Sequence, residues 1–300
     1  MDPRHLLQLA SILEMGSITQ ASHRLHLTQP TLTHNMQRLE QQAGGTLFER
    51  SRFGVRSTPL GEMLAREGRA IARRLNDAAE VSARHRSGLK SQIRLGTGPI
   101  VGAALMPGLT QMLLRSYPDI ALTVQSDRPH LLVEQLVDGR HDLVIAPSWM
   151  DHPPPGIERF LLVKDELGVF CGGTHPLAVN GTLSSVGAET HNWISLGTAS
   201  PFDHDVRKML TDAGIGTTRT EIAIVGEAFM LMRILTEGRH LAVLPNFPVR
   251  MLQSHFPLVT LSLQVKPLPR NIYLWCRTTL LEDPAFVEMK AAILGYAVKL

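Results

Sequence analysis

The polar side chains between residues 28 and 38 could contact nucleic acid. On one side of the segment they are amides, hydroxyls, an imidazole and a guanidinium, with no carboxylate. Such groups form hydrogen bonds with phosphates and with base edges in the DNA major groove. The pattern predicts a DNA-contacting surface, and the alternative is a solvated surface that binds nothing. The positions expected to contact DNA in this segment are Thr28, Gln29, Pro30, Thr31, Thr33, His34, Gln37 and Arg38.

Two short helices joined by a tight turn would position this surface. Ser17 and Gln20 have the spacing of a capping box, which predicts the start of the first helix. Thr28 is an N-cap candidate with Pro30 in the following turn, so a second helix is expected from Gln29. In that second helix the apolar residues that recur at helical spacing, and should face a core, are Leu32, Met36 and Leu39. A preceding amphipathic helix is expected over residues 3–15.

Three arginines follow the helix pair in what is expected to be a β-hairpin. Arg50, Arg52 and Arg56 flank a turn at Gly54. A basic hairpin beside a recognition helix is a wing that could touch phosphates or the minor groove. The alternative is a solvated basic loop.

Length, charge and cysteine content limit the class of protein. Three hundred residues suggest about two domains. Residues 1–90 hold 13 basic and 8 acidic side chains, a net charge of +5, whereas residues 91–300 have a net charge of −2. This charge asymmetry is typical of a small nucleic-acid-binding domain joined to a larger domain of a different kind. Two distant cysteines, Cys171 and Cys276, are expected to be buried thiols in a reducing compartment. With no signal peptide and no membrane span, a cytoplasmic protein without a membrane partner is expected.

A long helix is expected after the hairpin. Thr58 and Pro59 start it, and nothing stops it until Gly88. About thirty residues extend ~45 Å at 1.5 Å per residue, which is too long for one small domain to cover. We therefore expect its apolar face to pack against a second copy of the chain. That face holds Leu60, Leu64, Ile71, Leu75, Ala78 and Ala79.

From residue 92 onwards short apolar runs alternate with helical patterns. This alternation predicts parallel sheets flanked by helices. A break near 163–165 and a return near 266–270 suggest two α/β lobes joined by two crossing segments, which would close on a ligand in the cleft between them. The runs expected to be strands are 93–96, 120–124, 142–146, 162–163, 168–171, 193–196, 222–225, 241–244 and 272–276.

These motifs together resemble the LysR-type transcriptional regulators over the whole length of the chain. The N-terminal motifs are GSITQAS (16–22), LHLTQPTLT (25–33), RLE (38–40), LFER (47–50) and TPLG (58–61). The later ones are DGRHDLVI (138–145), HPLA (175–178) and GRHLAVLP (238–245). The family commonly has arginine where this chain has His34, and the wing arginine stands one place early at Arg52, before Phe53. These departures concern the operator sequence rather than DNA binding itself.

The resemblance implies a multidomain α+β architecture. A winged helix-turn-helix would occupy residues 1–58, a linker and dimerisation helix 59–90, and a two-lobed α/β domain like the periplasmic binding proteins 91–300. Lobe I would span about 91–163 and 267–300, and lobe II about 164–266. The implied protein is a homotetramer, built as a dimer of dimers, that binds double-stranded operator DNA and takes a small-molecule effector between its lobes. RNA polymerase is a further expected partner.

The residues 96–102 follow an expected strand and open an expected helix. They superficially resemble a dinucleotide fingerprint, but the glycine spacing is wrong and Pro99 interrupts it. A helix N-terminus that holds an effector carboxylate fits better. By similarity to the family, the effector positions are Thr97, Pro99, Ile100, Asp127, Arg128 and Pro147 on one lobe, and Thr198, Ser200 and Phe202 on the other. The alternative for any single position is an ordinary strand-to-helix turn.

Three aromatic residues bear on the chemistry of the effector. Trp149, Phe202 and Phe229 could form an apolar wall, which would favour an aromatic or otherwise apolar organic acid, although most such aromatics simply belong to a core. No cofactor and no metal site is expected. Two rival classes remain open: a solute sensor with a small helical head, and a two-lobed enzyme, for which the sequence displays no catalytic motif.

Overall fold

The structure is a computed structural model that describes residues 1–51, 54–87, 91–186, 188–197 and 201–300. The chain forms two compact units. One comprises Met1–Lys90 with Asp138–Arg140, and the other Ser91–Val137 with His141–Leu300. Each unit has its own hydrophobic core.

The N-terminal unit begins with three capped helices. Their order is α1 (Pro3–Met15), α2 (Ile18–Arg24) and α3 (Gln29–Ala43), followed by a hairpin of β1 (Phe48–Ser51) and β2 (Gly54–Ser57) and by α4 (Pro59–Ser87). The Ser17 hydroxyl accepts a hydrogen bond from the backbone N–H of Gln20, and the Thr28 hydroxyl accepts one from that of Thr31. These bonds satisfy N–H groups that a helix start leaves without partners. The expected apolar stripe of α3 is buried completely: Leu32, Met36 and Leu39 are at most 1% exposed.

Two glycines join the hairpin to the end of α1. Gly16 ends α1 in the left-handed conformation, with φ of 62°. The Gly16 carbonyl accepts a hydrogen bond from the N–H of Val55 at 2.9 Å. A β-carbon at Gly54, where φ is 115°, would lie 2.6 Å from the Gly16 oxygen. Only glycine fits that position, so the start of β2 lies in close contact with the end of α1.

Helix α4 packs against α1 through a position without a side chain. A β-carbon at Gly68 would lie 2.1 Å from the carbonyl oxygen of Leu6, so the two helix backbones are in close contact. Leu60, Leu64 and Ile71 pack on the core of this unit. The sequence predicts that the whole apolar face of α4 packs against a second chain. This prediction is wrong for the first half of the helix, which packs against its own N-terminal unit. Leu75, beyond that half, is 59% exposed.

The larger unit contains two five-stranded sheets, each with helices packed against it. The first sheet has the order β4-β3-β5-β12-β6. Its elements, which form lobe I, are β3 (Ser91–Thr97), α5 (Pro99–Ser116), β4 (Ile120–Ser126), α6 (Pro129–Val137), β5 (Leu143–Pro147), β6 (Ile157–Val163), β12 (Ile272–Arg277) and α10 (Pro284–Ala297).

Lobe II is built on the second sheet, with the order β11-β7-β10-β8-β9. Its elements are β7 (Leu167–Gly172), β8 (Asn192–Ser195), α7 (Pro201–Asp212), β9 (Arg219–Ala223), α8 (Ala228–Glu237), β10 (His240–Pro245), α9 (Asn246–Leu252) and β11 (Leu258–Leu261). The sequence patterns missed β11.

Both sheets are mixed, which corrects the expectation of parallel sheets. β3 runs parallel to β4 and β5, and β8 runs parallel to β9 and β10. β12 is antiparallel to its neighbours, as β7 is to β10 and β11. The antiparallel strands β7 and β12 directly follow the two segments where the chain passes between the lobes.

The two crossing segments are joined at Asp165. Its backbone oxygen accepts a hydrogen bond from the N–H of Arg270 at 2.6 Å, and its backbone N–H donates to the Asn271 side chain at 3.1 Å. The Asp165 carboxylate accepts hydrogen bonds from the N–H groups of Glu166 and Phe247. A single residue thus connects both crossings with the start of α9.

Both cysteines lie in hydrophobic cores of the larger unit. Cys171 and Cys276 are free thiols with no exposed surface, and burial raises the pKa of both. Among the helices that the structure describes, none combines the length and the apolar character needed to cross a bilayer.

The contact between α1 and α4 yields a stability prediction. Gly68→Ala should destabilise the N-terminal unit, because the added methyl group meets the backbone of Leu6 rather than a flexible side chain. Overpacking of this kind costs about 1–3 kcal/mol, which should exceed the gain of about 1 kcal/mol from replacing a helical glycine. The measurement is chemical denaturation followed by circular dichroism.

Gly295→Ala is the matched control, because nothing lies within 4 Å of an added β-carbon at that helical position. It should leave stability unchanged or raise it. All three tryptophans, Trp149, Trp193 and Trp275, belong to the larger unit, so the Gly68→Ala effect should appear in circular dichroism without a matching shift in tryptophan fluorescence. Equal stability of Gly68→Ala and wild type would contradict the close contact.

Candidate functional site

The first candidate surface is the outer face of α3. The buried stripe fixes the rotation of this helix, so the polar positions on its other side face solvent. Thr33 is half-buried. The predicted positions that are exposed are Thr28, Gln29, Pro30, Thr31, His34, Gln37 and Arg38. The structure therefore brings the predicted DNA contacts from residues 28–38 together on one accessible face.

The hairpin places further basic residues in the same unit. Arg56 is exposed on β2 and stands opposite Glu49 in the antiparallel register. Arg50 lies in β1, opposite Val55, while Arg52 lies outside the described residues. Within the described ranges, neither Arg38 nor Arg56 forms an ion pair, so both guanidinium groups are available to an anionic partner.

The second candidate site is a cleft between lobe I and lobe II. The carboxyl ends of the parallel strands β3, β4, β5, β8, β9 and β10 all lead into loops or helices at this cleft, which is the usual ligand position in open α/β sheets. Its lobe I wall consists of Gly98, Pro99, Ile100, Val101, Arg128, Pro129, His130, Pro147 and Trp149. Its lobe II wall consists of Leu196, Pro201, Phe202, Ile224, Gly226, Glu227, Ala228, Leu231 and Pro245, and Arg270 lies in the crossing segment.

Helix N-termini converge on this mostly apolar cleft. Helix α5 starts at Pro99, and its N-cap, Gly98, has no side chain to bond the free N–H groups. Helix α8 starts after Glu227, whose side chain likewise forms no capping hydrogen bond. The first turns of α6 and α7 contribute Pro129 and Pro201. Free N–H groups and the positive ends of helix dipoles favour an anionic group.

Trp149 forms part of the lobe I wall and is held in place by Arg159. The Arg159 guanidinium donates hydrogen bonds to the carbonyl oxygens of Met150 and Asp151, each at 2.6 Å. The same guanidinium lies over the Tyr273 ring, 4.9 Å from its centroid. These contacts fix the loop after β5, so Trp149 presents a flat apolar surface to a ligand.

The expected aromatic wall is incomplete. Trp149 and Phe202 both line the cleft. Phe229 does not take part: it is 65% exposed and packs edge-on against Phe256, with 5.9 Å between ring centroids. Since Phe229 directly follows the first residue of α8, the helix turns its side chain away from the cleft that Ala228 lines.

The positions assigned to the effector by resemblance divide into three groups. Those that line the cleft are Pro99, Ile100, Arg128, Pro147 and Phe202. Thr97 is 2% exposed and packs its methyl group where a side chain at Gly102 would lie, so it supports the first turn of α5. The Asp127 carboxylate accepts hydrogen bonds from the Arg128 N–H and from Gln135, which places it behind the start of α6. Thr198 and Ser200 lie outside the described residues.

Sequence reasoning missed Arg270. It lines the cleft although it is only 5% exposed. Its guanidinium forms an ion pair with Asp205 and lies 4.5 Å from the centroid of the Phe202 ring. Burial lowers the pKa of Arg270 to about 10, against the opposing effect of the negative charges of Asp205 and Asp165. The sequence marks Arg270 only as a basic residue in the segment near 266–270, where the chain is expected to pass back from lobe II to lobe I.

Sequence comparisons identify both units. The family described as "Bacterial regulatory helix-turn-helix protein, lysR family" matches residues 3–62. The family described as "LysR substrate binding domain" matches residues 86–297. Among curated relatives, the transcriptional activator protein LysR of Escherichia coli (strain K12) is 31% identical over 210 residues, which cover 70% of this chain and 67% of that protein. The nitrogen assimilation regulatory protein nac of Escherichia coli (strain K12) is 26% identical over 257 residues, 84% of this chain and 81% of that protein.

A solved structure extends the likeness to the fold of the full chain. The crystal structure of full-length CbnR complexed with its target DNA superimposes with a TM-score of 0.62 at 19% identity, covering 99% of this chain and 100% of that one. The two family descriptions together match nearly the whole chain. The α3 face lies within the helix-turn-helix match, and the cleft lies within the match to the substrate binding domain. The chain is a member of the LysR family, DNA-binding transcription regulators with an N-terminal helix-turn-helix and a C-terminal effector-binding domain, and not an enzyme.

Proposed function

We propose that this regulator binds a two-fold-symmetric operator as a dimer of dimers, and that it responds to a small organic acid with an apolar body. The observation that carries the proposal is the convergence of uncapped helix N-termini on an apolar cleft. In this scheme the acid's charged group meets the N-terminal ends of the helices, and its body packs against Trp149 and Phe202.

The exposed face of α3 supports the assignment of individual DNA contacts. Gln29, Thr31 and His34 offer hydrogen-bonding groups for base edges, whereas Arg38 and Arg56 offer guanidinium groups for phosphates. Contacts of the second kind make binding steeply dependent on salt concentration. RNA polymerase is the further partner that such a regulator would meet at a promoter.

Helix α4 supports an oligomer. It is 29 residues long, and its first half packs on the N-terminal core while Leu75, farther along, is 59% exposed. An exposed leucine in the apolar stripe of a long helix is what a helix-helix interface between two chains would bury. A two-fold arrangement of two α3 helices would then match a two-fold-symmetric DNA site.

An acid fits the cleft better than a cation or a sugar does. The cleft holds Arg128 and Arg270, and Glu227 is the single carboxylate among its described lining residues. The other described lining residues are mostly proline, glycine and aliphatic or aromatic side chains. Such a surface offers few partners for the many hydroxyl groups of a sugar, and the helix N-termini oppose a cation.

The first prediction of this proposal concerns DNA. Gln29→Ala and Arg38→Ala should each weaken operator binding by about 1–3 kcal/mol, because each removes a contact to DNA. The measurement is a gel shift with the upstream region of the protein's own gene at several salt concentrations. Arg38→Ala should also lower the slope of affinity against salt.

Gln42→Ala is the matched control for Gln29→Ala, since Gln42 is exposed on the last turn of the same helix. It should bind the operator like wild type. Size-exclusion chromatography should show the same oligomeric state for all three variants. Wild-type affinities in the gel shift for both Gln29→Ala and Arg38→Ala would refute the assigned contacts.

The second prediction concerns the effector. Leu196→Trp should abolish stabilisation by small carboxylic acids, because Leu196 is half-buried in the cleft wall and a larger ring would occupy the ligand's space. A ligand at 100 times its Kd should otherwise add about 2.7 kcal/mol to stability. Thermal-shift measurements with a panel of aromatic and aliphatic monocarboxylates test this.

Val179→Trp supplies the control, because Val179 is 88% exposed and does not line the cleft. It should respond to acids as wild type does. Both variants should retain operator binding in the absence of acid. If Leu196→Trp kept a full thermal shift, the cleft would not be the effector site.

A further inference from the structure

Arg270 has an environment unlike that of the other cleft residues. It is 5% exposed, and because it lines the cleft, the small accessible part of its side chain opens there. Its backbone N–H donates to Asp165, which fixes its position in the crossing segment. Its side chain reaches the first turns of α7, where it meets Phe202 and Asp205.

The guanidinium carries a full positive charge in this environment. Burial lowers its pKa to about 10, which still leaves it protonated at neutral pH. Desolvation makes a buried charge costly unless it is paired and hydrogen-bonded. The Asp205 carboxylate supplies one such pair, from outside the residues that line the cleft.

The guanidinium of Arg270 has more N–H donors than the neighbouring side chains supply acceptors for. An arginine side chain has five N–H donors in a planar fork. Within the described ranges, Asp205 is the one side chain that accepts a hydrogen bond from Arg270, through one terminal nitrogen. Phe202 covers a face of the group rather than its donor edge. Donors therefore remain for a ligand at the cleft side.

We propose that Arg270 is the residue that receives the effector's carboxylate and so makes the cleft select acids over their neutral analogues. This role rests on the proposed acidic effector and assigns its charged group to a particular side chain. The guanidinium fork can bind a carboxylate through two parallel N–H···O bonds, which no single helix N–H can match. Phe202, stacked on the same group, would contact the apolar body of the ligand.

Two other charged residues in the cleft bear on this choice. Arg128 also lines the cleft, but it is half-buried, so solvent screens its charge more than that of Arg270. Glu227 is exposed, and its repulsion of an acid is screened in the same way. Asp205 is the carboxylate that forms an ion pair with Arg270, while Asp165 adds a second negative charge nearby. Removal of the Asp205 charge should strengthen acid binding.

The test measures Kd by calorimetry on the full-length protein for three acids and their neutral amides: benzoate with benzamide, cyclohexanecarboxylate with its amide, and hexanoate with hexanamide. In wild type at least one acid should bind more tightly than its amide. Arg270→Gln should weaken acid binding about 10- to 100-fold, the loss expected for a charge-assisted hydrogen bond, and leave amide binding nearly unchanged. Asp205→Asn should bind the acid several-fold more tightly than wild type, because the competing charge is gone.

The remaining variants separate this role from a structural one. Arg270→Gln leaves the half-buried Asp205 without its cationic partner, so the double variant Asp205→Asn with Arg270→Gln removes both charges of this ion pair and should fold while showing no acid preference. Arg128→Gln should keep the preference. Arg270→Lys should restore part of it, since lysine retains the charge without the fork.

Each outcome decides a specific question. If acids bind wild type and both Arg270→Gln variants equally well, or if Arg128→Gln alone removes the preference, the role of Arg270 is overturned while the acidic effector stands. If acids and amides lose affinity to the same extent in both Arg270→Gln variants, Arg270 only maintains the shape of the cleft and the proposal fails. If no acid of the panel binds wild type, the proposed effector class and the role of Arg270 are both rejected.

Discussion

The hydrogen bonds of Asp165 are the constraint on which the effector-binding domain depends. One residue bonds to both crossing segments and to the start of α9 through its backbone and its carboxylate. Its carboxylate is buried, and desolvation raises its pKa in spite of two backbone hydrogen bonds. One carboxylate oxygen, Oδ2, has no partner among the described residues. The free-energy cost of burying this carboxylate falls where the two crossing segments meet, because the backbone oxygen of the same residue accepts a hydrogen bond from the N–H of Arg270.

Local signals predicted the N-terminal unit well, for reasons that particular residues make plain. Ser17 and Thr28 start α2 and α3 by bonding their own backbones, and Gly16 ends α1 in a conformation that glycine adopts at little cost. Such effects act within four residues, so a sequence displays them directly. Strand direction is different, because a period of two residues is the same for parallel and antiparallel neighbours. The mixed sheets therefore could not be predicted from apolar runs, and the edge strand β11, whose run of four residues is interrupted by Thr260, did not stand out.

The residues of the cleft likewise fall into two groups: those that nearby sequence motifs identify, and those that only the folded chain brings together. The resemblance placed Pro99, Ile100, Arg128, Pro147 and Phe202, which line it, because each lies near a strand end or a helix start. Arg270 occupies an extended segment with no motif, and its partner Asp205 is 65 positions earlier in the sequence. Only the fold of the crossing segments brings them together. The rotation of α8, which turns Phe229 outward, is likewise decided by packing: Ala228, Leu231 and Leu235 are the buried face.

The α3 face and the cleft differ in how their charged side chains are placed, and this difference bears on how a ligand could act. The α3 face is accessible and holds uncharged donors and acceptors, with arginines free to meet phosphates. In the cleft the charge of Arg270 is buried and already paired, because Asp205 holds Arg270 against the first turns of α7. A ligand changes the conformation of a protein only if it binds one arrangement better than another. In the proposed scheme an acid bound to the donors that Asp205 leaves free would place a second carboxylate beside the pair of Arg270 and Asp205, so α7 is the element whose position would differ between the free and the liganded cleft. A neutral ligand of the same shape would fill the cleft without adding that charge and would leave the pair in place.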